Sequence, residues 1–484
     1  MRRSRQFGQM KNIPLIVAAS TILFTSPIHA QDRTIALGDS LSFAYEASFG
    51  FRFTILIFGT FGDGFGPEVK NWMEILRDPA YRGADYDFGP RNTFNVLLGP
   101  TLLFRHDSNW SLPGLRIWEM REFLEGTLTF QDLLDSDPNL AQIEQFSSLD
   151  ADTAFELTDF QDQVRDDAKR LVLFIGGNDV RGVYGTIYQG GDATPFIDSF
   201  LDDAEAILDI IETLNPDLPV VVVSVPHIGI TPDIKSNYPT DPIPTGRVTT
   251  ALRTLNNGLR ALADARGHGY ADVFTPTLPL LQSDPFSIQG IAFDNVGSTT
   301  GSLNAIWLNG ELSANFHPNT HGQAIIANEI VRAFNRTHGD QIAPLTATEI
   351  LGGLLGKSAA EIDMTFDSWA ASYGLPGISP DADADGDGIP AGVEFALGLN
   401  PILRDADLVS HSIVHANGSS FFELAFPERL PGSPRYTLQP ITASSPAGPY
   451  TPVAPALGTD GNYRAQIPIT QSPAFMRLES LITD

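Results

Sequence analysis

The sequence predicts an α/β layered domain on a parallel sheet, followed by a small β-rich region. Three observations carry that reading. Leu171-Val172-Leu173-Phe174-Ile175 and Pro219-Val220-Val221-Val222-Val223-Ser224-Val225 are continuous apolar runs, as strands buried on both faces require. Helical patterns lie around and between them, at 71–76, 196–214 and 248–265, so strand and helix alternate. After Arg336 the composition changes. An acidic Gly/Asp/Pro stretch gives way to short strand-like runs separated by Pro and Gly.

The elements follow in chain order. Arg2, Arg3, Arg5 and Lys11 precede an apolar core over 13–24, too short for a comfortable membrane span, and Pro27-Ile28-His29-Ala30 ends in a small residue. The pattern predicts a signal peptide over 1–30, cleaved near Ala30, and hence secretion, extracellular or periplasmic. Thr34-Ile35-Ala36-Leu37 is a short buried strand that ends in Gly38-Asp39-Ser40-Leu41. Residues 43–66 form an insertion whose aromatic stretch, 51–61, either walls a pocket as a lid or packs on the core as a hairpin. Asn109-Trp110-Ser111-Leu112-Pro113-Gly114 reads as a strand end breaking into a Pro-Gly turn. A strand at 270–274 follows the third helical pattern, and Phe316-His317-Pro318-Asn319 is a loop before an apolar helix at 324–330. The layered domain spans 31–338. A connector, 339–365, holds a short helix capped by Thr346 or Thr348. An acidic loop region, 366–401, and a small β-sandwich, 402–484, complete the chain.

Charge and composition narrow the partners. The 484 residues include 58 acidic and 30 basic side chains, a net charge of -28. Nucleic acid and anionic membrane surfaces repel such a chain. No stretch after the N-terminal segment predicts membrane insertion. Hydrophobic residues make up 42% of the chain, enough for a large core, and there is no cysteine to cross-link it. Oligomeric state is not legible.

Four blocks carry the residue types that acyl chemistry needs: a nucleophile, a base, and donors for an oxyanion. Ser40 leaves a strand after a glycine that permits a sharp turn. Gly114 can present its N–H at close range. Asn178, in Gly176-Gly177-Asn178-Asp179, sits at the carboxyl edge of the sheet, where open α/β sheets bind ligands. His317 places an imidazole near the end of the domain, with His321 and His227 as lesser candidates. Asn95 to Gly99 holds a rival glycine at a spacing one residue short. There is no Gly-x-Ser-x-Gly elbow of the ordinary α/β-hydrolase type.

The order of these blocks over 34–335 resembles the SGNH (GDSL) esterase/lipase superfamily. Val225-Pro226-His227-Ile228-Gly229 adds to the likeness. The resemblance implies a three-layer α/β/α, flavodoxin-like fold and hydrolysis of carboxylic esters through an acyl-enzyme. It makes Ser40 the nucleophile and His317 the general base. Ser40 N–H, Gly114 N–H and the Asn178 amide become the oxyanion donors. No cofactor is expected for catalysis, and the substrate is a small-molecule, lipid or glycan ester. Such families carry an aspartate three residues before the histidine, and here that residue is Ala314. Three accounts stay open. A Ser–His dyad is oriented by a backbone carbonyl; Glu311 or Asp294 reaches in; or the chain is a non-catalytic adhesion or glycan-binding relative. Asn315 can orient the ring without supplying a charge.

The acidic loop is the second motif. Asp383, Asp385 and Asp387 occupy positions 1, 3 and 5 of a twelve-residue frame, Gly388 position 6, Ile389 position 7 through its carbonyl, and Glu394 position 12. The frame resembles EF-hand and dockerin-type loops and implies a structural Ca2+. Pro390 is unusual within it.

Overall fold

A computed structural model describes residues 33–482, apart from 51–52, 56–58, 96–100, 130–131, 133–154, 282–285, 289–290, 363–364, 398, 400, 403–408, 417–418, 428–435, 458–461 and 470–474. The signal-peptide segment and Gly99 lie outside the described residues.

Four parallel strands form the central sheet: β1 (Arg33–Gly38), β2 (Ala168–Phe174), β3 (Val220–Val223) and β4 (Gly269–Ala271), adjacent in that order. Their alternating side chains feed two separate cores. Ile35, Leu37, Leu171, Leu173, Val220 and Val222 join one. Ala36, Val172, Phe174, Val221 and Val223 join the other. That period-2 division is why the apolar runs are continuous in sequence. Helices α1 (Gly177–Tyr188), α2 (Thr194–Leu214) and α3 (Pro242–Ala265) pack on the first face, and α4 (Thr320–His338) on the second.

A further extended segment flanks β1 on its open side. Trp110 N donates to Ala36 O at 2.7 Å and Leu112 N to Gly38 O at 3.0 Å, and the Ala36–Asn109 bridge is parallel. Counting this segment, the chain order across the sheet reads 2-1-3-4-5. The order reverses at β1, so a crevice opens at the carboxyl ends of β1 and β2. Ser40 and Asn178 follow those two strands.

A second small sheet was not legible in the sequence. It runs β5 (Phe286–Ile288), β6 (Ile291–Ser298), β7 (Ala305–Leu308) and β8 (His317–Pro318). His317 therefore stands on a two-residue strand paired with Trp307–Leu308, not on a loop. Such short strands leave little local signal, because their pairing is set by distant partners. The 43–66 insertion does contain a hairpin, Phe53–Ile55 against Gly59–Phe61.

The connector is built into the main core. Leu345, Ile350, Leu351 and Leu354 join the face covered by α4. Of its two candidate caps, Thr346 serves: its hydroxyl accepts from Glu349 N at 3.2 Å. Beyond it, Phe366, Trp369, Tyr373 and Phe395 form an aromatic cluster. Ile389, Val393 and Leu397 then pack with Leu424, Phe426, Leu438 and Leu478 from two antiparallel sheets of four and three strands.

Candidate active site

The Gly38-Asp39-Ser40-Leu41 turn is shaped by close packing. A side chain at Gly38 would place its Cβ 2.1 Å from the Phe174 carbonyl oxygen, so β1 and β2 need glycine there. The chain then coils tightly. Ser42 N and Phe43 N both donate to Asp39 O, at 3.0 and 3.1 Å, and Leu41 N donates to the Asp39 carboxylate at 3.0 Å. Ser40 stands at the centre of this turn.

The structure brings Ser40 and His317 together. Ser40 Oγ and His317 Nε2 are 2.7 Å apart, and His317 Nδ1 lies 2.8 Å from the Ser313 carbonyl oxygen. A carbonyl only accepts, so Nδ1 carries the proton and Nε2 holds the lone pair toward Ser40. The ring sits edge-on to Phe49 at 4.8 Å between centroids and to Phe316 at 5.7 Å. Burial in these surroundings pulls the imidazole from 6.5 down to about 4, against the opposing pull of the Ser313 carbonyl and the Asp63 charge. It is neutral at pH 7, as a base must be.

The backbone explains how a carbonyl comes to face Nδ1. Ala314 and Asn315 have φ of 50° and 57°, and Phe316 N returns to Ser313 O at 3.0 Å, the pattern of a type I′ turn. A left-handed alanine costs roughly 1–2 kcal/mol. Neighbouring bonds hold it: Gly310 N donates to Ser313 Oγ at 2.6 Å and Asn315 N to Leu308 O at 2.9 Å. Glu311 and Asp294 are both exposed and, among the described residues, make no hydrogen bond to His317. Asn315 does not orient the ring; its side-chain oxygen packs against Gly297.

The lesser histidines have structural partners. His321 Nε2 faces the Leu303 carbonyl, and its ring lies against Phe293. His227 Nδ1 accepts from Gly229 N at 3.2 Å, while Nε2 meets Thr249 Oγ1 at 3.0 Å.

The oxyanion blocks are tied to one another by two buried carboxylates. Asn178 Nδ2 donates to Leu115 O at 3.1 Å, and Ile117 N reaches both Asp179 oxygens at 3.2 Å. These bonds fasten the loop carrying Gly114, itself left-handed at φ 82°, to the start of α1. Asp39 accepts from the Gly176 and Gly177 amides and so fastens the nucleophile turn to the same place; burial pushes its carboxyl up to about 6. Burial, with the Asp39 charge adding to it, pushes Asp179 up to about 7. The Asn178 amide has a second N–H to offer. Sequence reasoning missed the fastening roles of Asp39 and Asp179, although both stood inside the motifs it used.

An apolar cavity of about 90 Å³ is lined by Leu41, Phe316 and Pro318, the chain neighbours of the pair, with Ile228, Ile306 and Trp307 among others; Ser40 and His317 themselves do not line it. In the acidic loop, Asp383, Asp385 and Asp387 bring carboxylate oxygens within 4.8 Å of one another. Asp383 accepts from the Gly386, Asp387 and Gly388 amides, and Asp387 from Ile389 N. Glu394 is wholly buried on the helix that follows, Ala391–Leu397.

The class that the family match supports is an ester-bond hydrolase. Residues 126–325 match the GDSL-like lipase/acylhydrolase family. The matched stretch contains Asn178 and His317 and begins beyond Ser40 and Gly114. Two solved structures are similar to the chain. One is a carbohydrate esterase family 3 protein from Talaromyces cellulolyticus, at 13% identity over 62% of this chain and 93% of that one, with a TM-score of 0.29. The other is an extracellular lipase from Streptomyces rimosus, at 13% identity over 63% of this chain and 99% of that one, with a TM-score of 0.30. No curated protein matches the sequence. Among the described residues, no helix is long and apolar enough to cross a membrane.

Proposed function

We propose that the chain is a secreted serine esterase that cleaves carboxylic esters through an acyl-enzyme on Ser40. The observation that carries this reading is the 2.7 Å contact between Ser40 Oγ and a neutral His317 Nε2. His317 takes the Ser40 proton as Oγ attacks the ester carbonyl carbon. The oxyanion collects at Ser40 N–H, Gly114 N–H and the second N–H of Asn178. The proton held on Nε2 passes to the departing alkoxide. Water then gives a proton to His317 as it attacks the acyl-enzyme, and Ser40 recovers that proton when the acid leaves. These steps use the chain's own side chains and water. The intact pair argues against the adhesion or glycan-binding alternative.

The apolar cavity supports an acyl group as the part of the substrate that is recognised, because a polar sugar gains nothing from such walls. Secretion rests on the basic, apolar and small-residue pattern that ends at Ala30. A structural Ca2+ on Asp383, Asp385, Asp387, the Ile389 carbonyl and Glu394 is proposed for the C-terminal loop. It would supply charge neutralisation there, and no step of the hydrolysis is assigned to it.

The test uses p-nitrophenyl esters of increasing chain length. The wild-type protein is expected to hydrolyse them, and Ser40→Ala to lose roughly 10⁴-fold or more in kcat. Equal rates end the esterase reading. Leu280→Trp, which narrows the half-buried rim of the cavity, is expected to shift preference toward acetate; a preference confined to acetate in the wild type points instead to an O-acetylesterase.

A further inference from the structure

We propose that Asp63 is a positioning residue for His317, acting through the Ser313 carbonyl in place of the acid that Ala314 does not supply. The inference rests on the esterase reading and adds a residue to it. Asp63 lies in the insertion that follows the nucleophile turn and is 9% exposed. Its two carboxylate oxygens take separate amides of the histidine loop. Oδ1 accepts from Leu312 N at 2.9 Å, and Oδ2 from Ser313 N at 3.0 Å. Ser313 then presents its own carbonyl to His317 Nδ1 at 2.8 Å.

Three features distinguish this clamp from an ordinary loop contact. The contact is bidentate, and the carboxylate accepts from consecutive amides, so it fixes both the position and the tilt of the chain entering Ser313. It holds the entry to a turn whose central residues, Ala314 and Asn315, are both left-handed without being glycine. Such a turn persists only where the surroundings over-determine it. The fit is also close: a Cβ on Gly310 would stand 2.0 Å from the Asp63 carboxyl carbon, so the loop is cut to receive this group.

The chemistry gives the clamp a purpose. During attack on the ester, His317 becomes an imidazolium inside an apolar cage. A peptide carbonyl offers it a dipole but no charge. Asp63 is a negative charge one residue's length behind that dipole, and its field favours the protonated ring. The aspartate normally found on the histidine's own loop is thereby replaced by one on the insertion, which reaches the ring through the backbone.

The experiment compares the wild-type protein with Asp63→Asn and Asp63→Ala, with Ser40→Ala as reference. Asp63→Asn keeps one acceptor, and Asp63→Ala keeps neither. The expected result is a fall in kcat of about tenfold for Asn and about a hundredfold for Ala, with KM held within about twofold, since only transition-state stabilisation is lost. A structural role alone does not predict the spectroscopic readout. The His317 Nδ1 proton, followed by NMR in wild-type protein, is expected to lose its low-field, slowly exchanging resonance in Asp63→Ala. Should that variant fold poorly, the Asn variant carries the same two measurements. An unchanged kcat and an unchanged Nδ1 resonance in a folded variant overturn the proposal while Ser40→Ala is still inactive. Activity retained by Ser40→Ala overturns the esterase reading itself.

Discussion

His317 Nδ1 faces a peptide carbonyl, and the surrounding Phe49 and Phe316 rings exclude water from its edge. A neutral acceptor orients the tautomer as an aspartate does, yet it raises ring basicity far less. Burial therefore dominates, and the imidazole is held near 4. In the proposed mechanism the active form is the neutral ring, so activity should fall as pH drops through that value. The acid limb of kcat/KM is expected near pH 4; a limb at 6.5 or above would show a solvated or carboxylate-paired ring. The identity of the histidine was legible, since Phe316-His317-Pro318-Asn319 precedes an apolar helix. Its partner was not. Every residue carries a carbonyl, so a main-chain acceptor leaves no mark in composition. The Ala314-Asn315 pair gives a faint sign, because asparagine favours left-handed turns and alanine does not.

Elements position the blocks that residues alone cannot. β1, β2 and the segment over 108–112 end at one edge, and Asp39 and Asp179 bind their turns together there. Removing Asp179 frees Ile117 N and loosens the loop that presents Gly114. Asp179→Ala is expected to lower kcat by on the order of tenfold to a hundredfold, as small displacements of catalytic groups do. Its stability should respond to pH in a defined direction. The folded carboxyl is raised from 3.8 to about 7, so the cost of burying its charge is absent below 3.8 and grows until about pH 7. The variant should lose less thermal stability, relative to wild type, at pH 8 than at pH 4. An equal loss at both would remove the burial cost from the account. The buried strands were legible because their apolar runs exceed what a turn or exposed strand tolerates. The β5–β8 sheet was hidden because β5, β7 and β8 are only two to four residues long and draw their register from β6 and from one another.

The whole molecule joins two kinds of structure through a connector that belongs to the first. Leu345, Ile350 and Leu351 complete the α4 face, so 339–365 anchors the C-terminal region instead of spacing it. Beyond, Ile389 and Val393 leave the acidic loop to pack with Leu424 and Phe426. Calcium in that loop would therefore brace the β-rich region and leave ester hydrolysis alone. Chelation is expected to lower the C-terminal unfolding temperature by several degrees, since a ligand at about a hundredfold over its Kd adds about 2.7 kcal/mol. Hydrolysis should change by less than about twofold; an unaltered melt would remove the site. The sequence by itself determined the layered class and the parallel strands, and it marked Ser40, Asn178 and His317 as candidates, because burial on both faces and strand-end turns impose local patterns. Only the tertiary structure decided what orients His317. Ser313 presents its carbonyl from a left-handed turn, and Asp63 holds the Ser313 amide across some 250 residues of chain; such contacts have no local pattern to read.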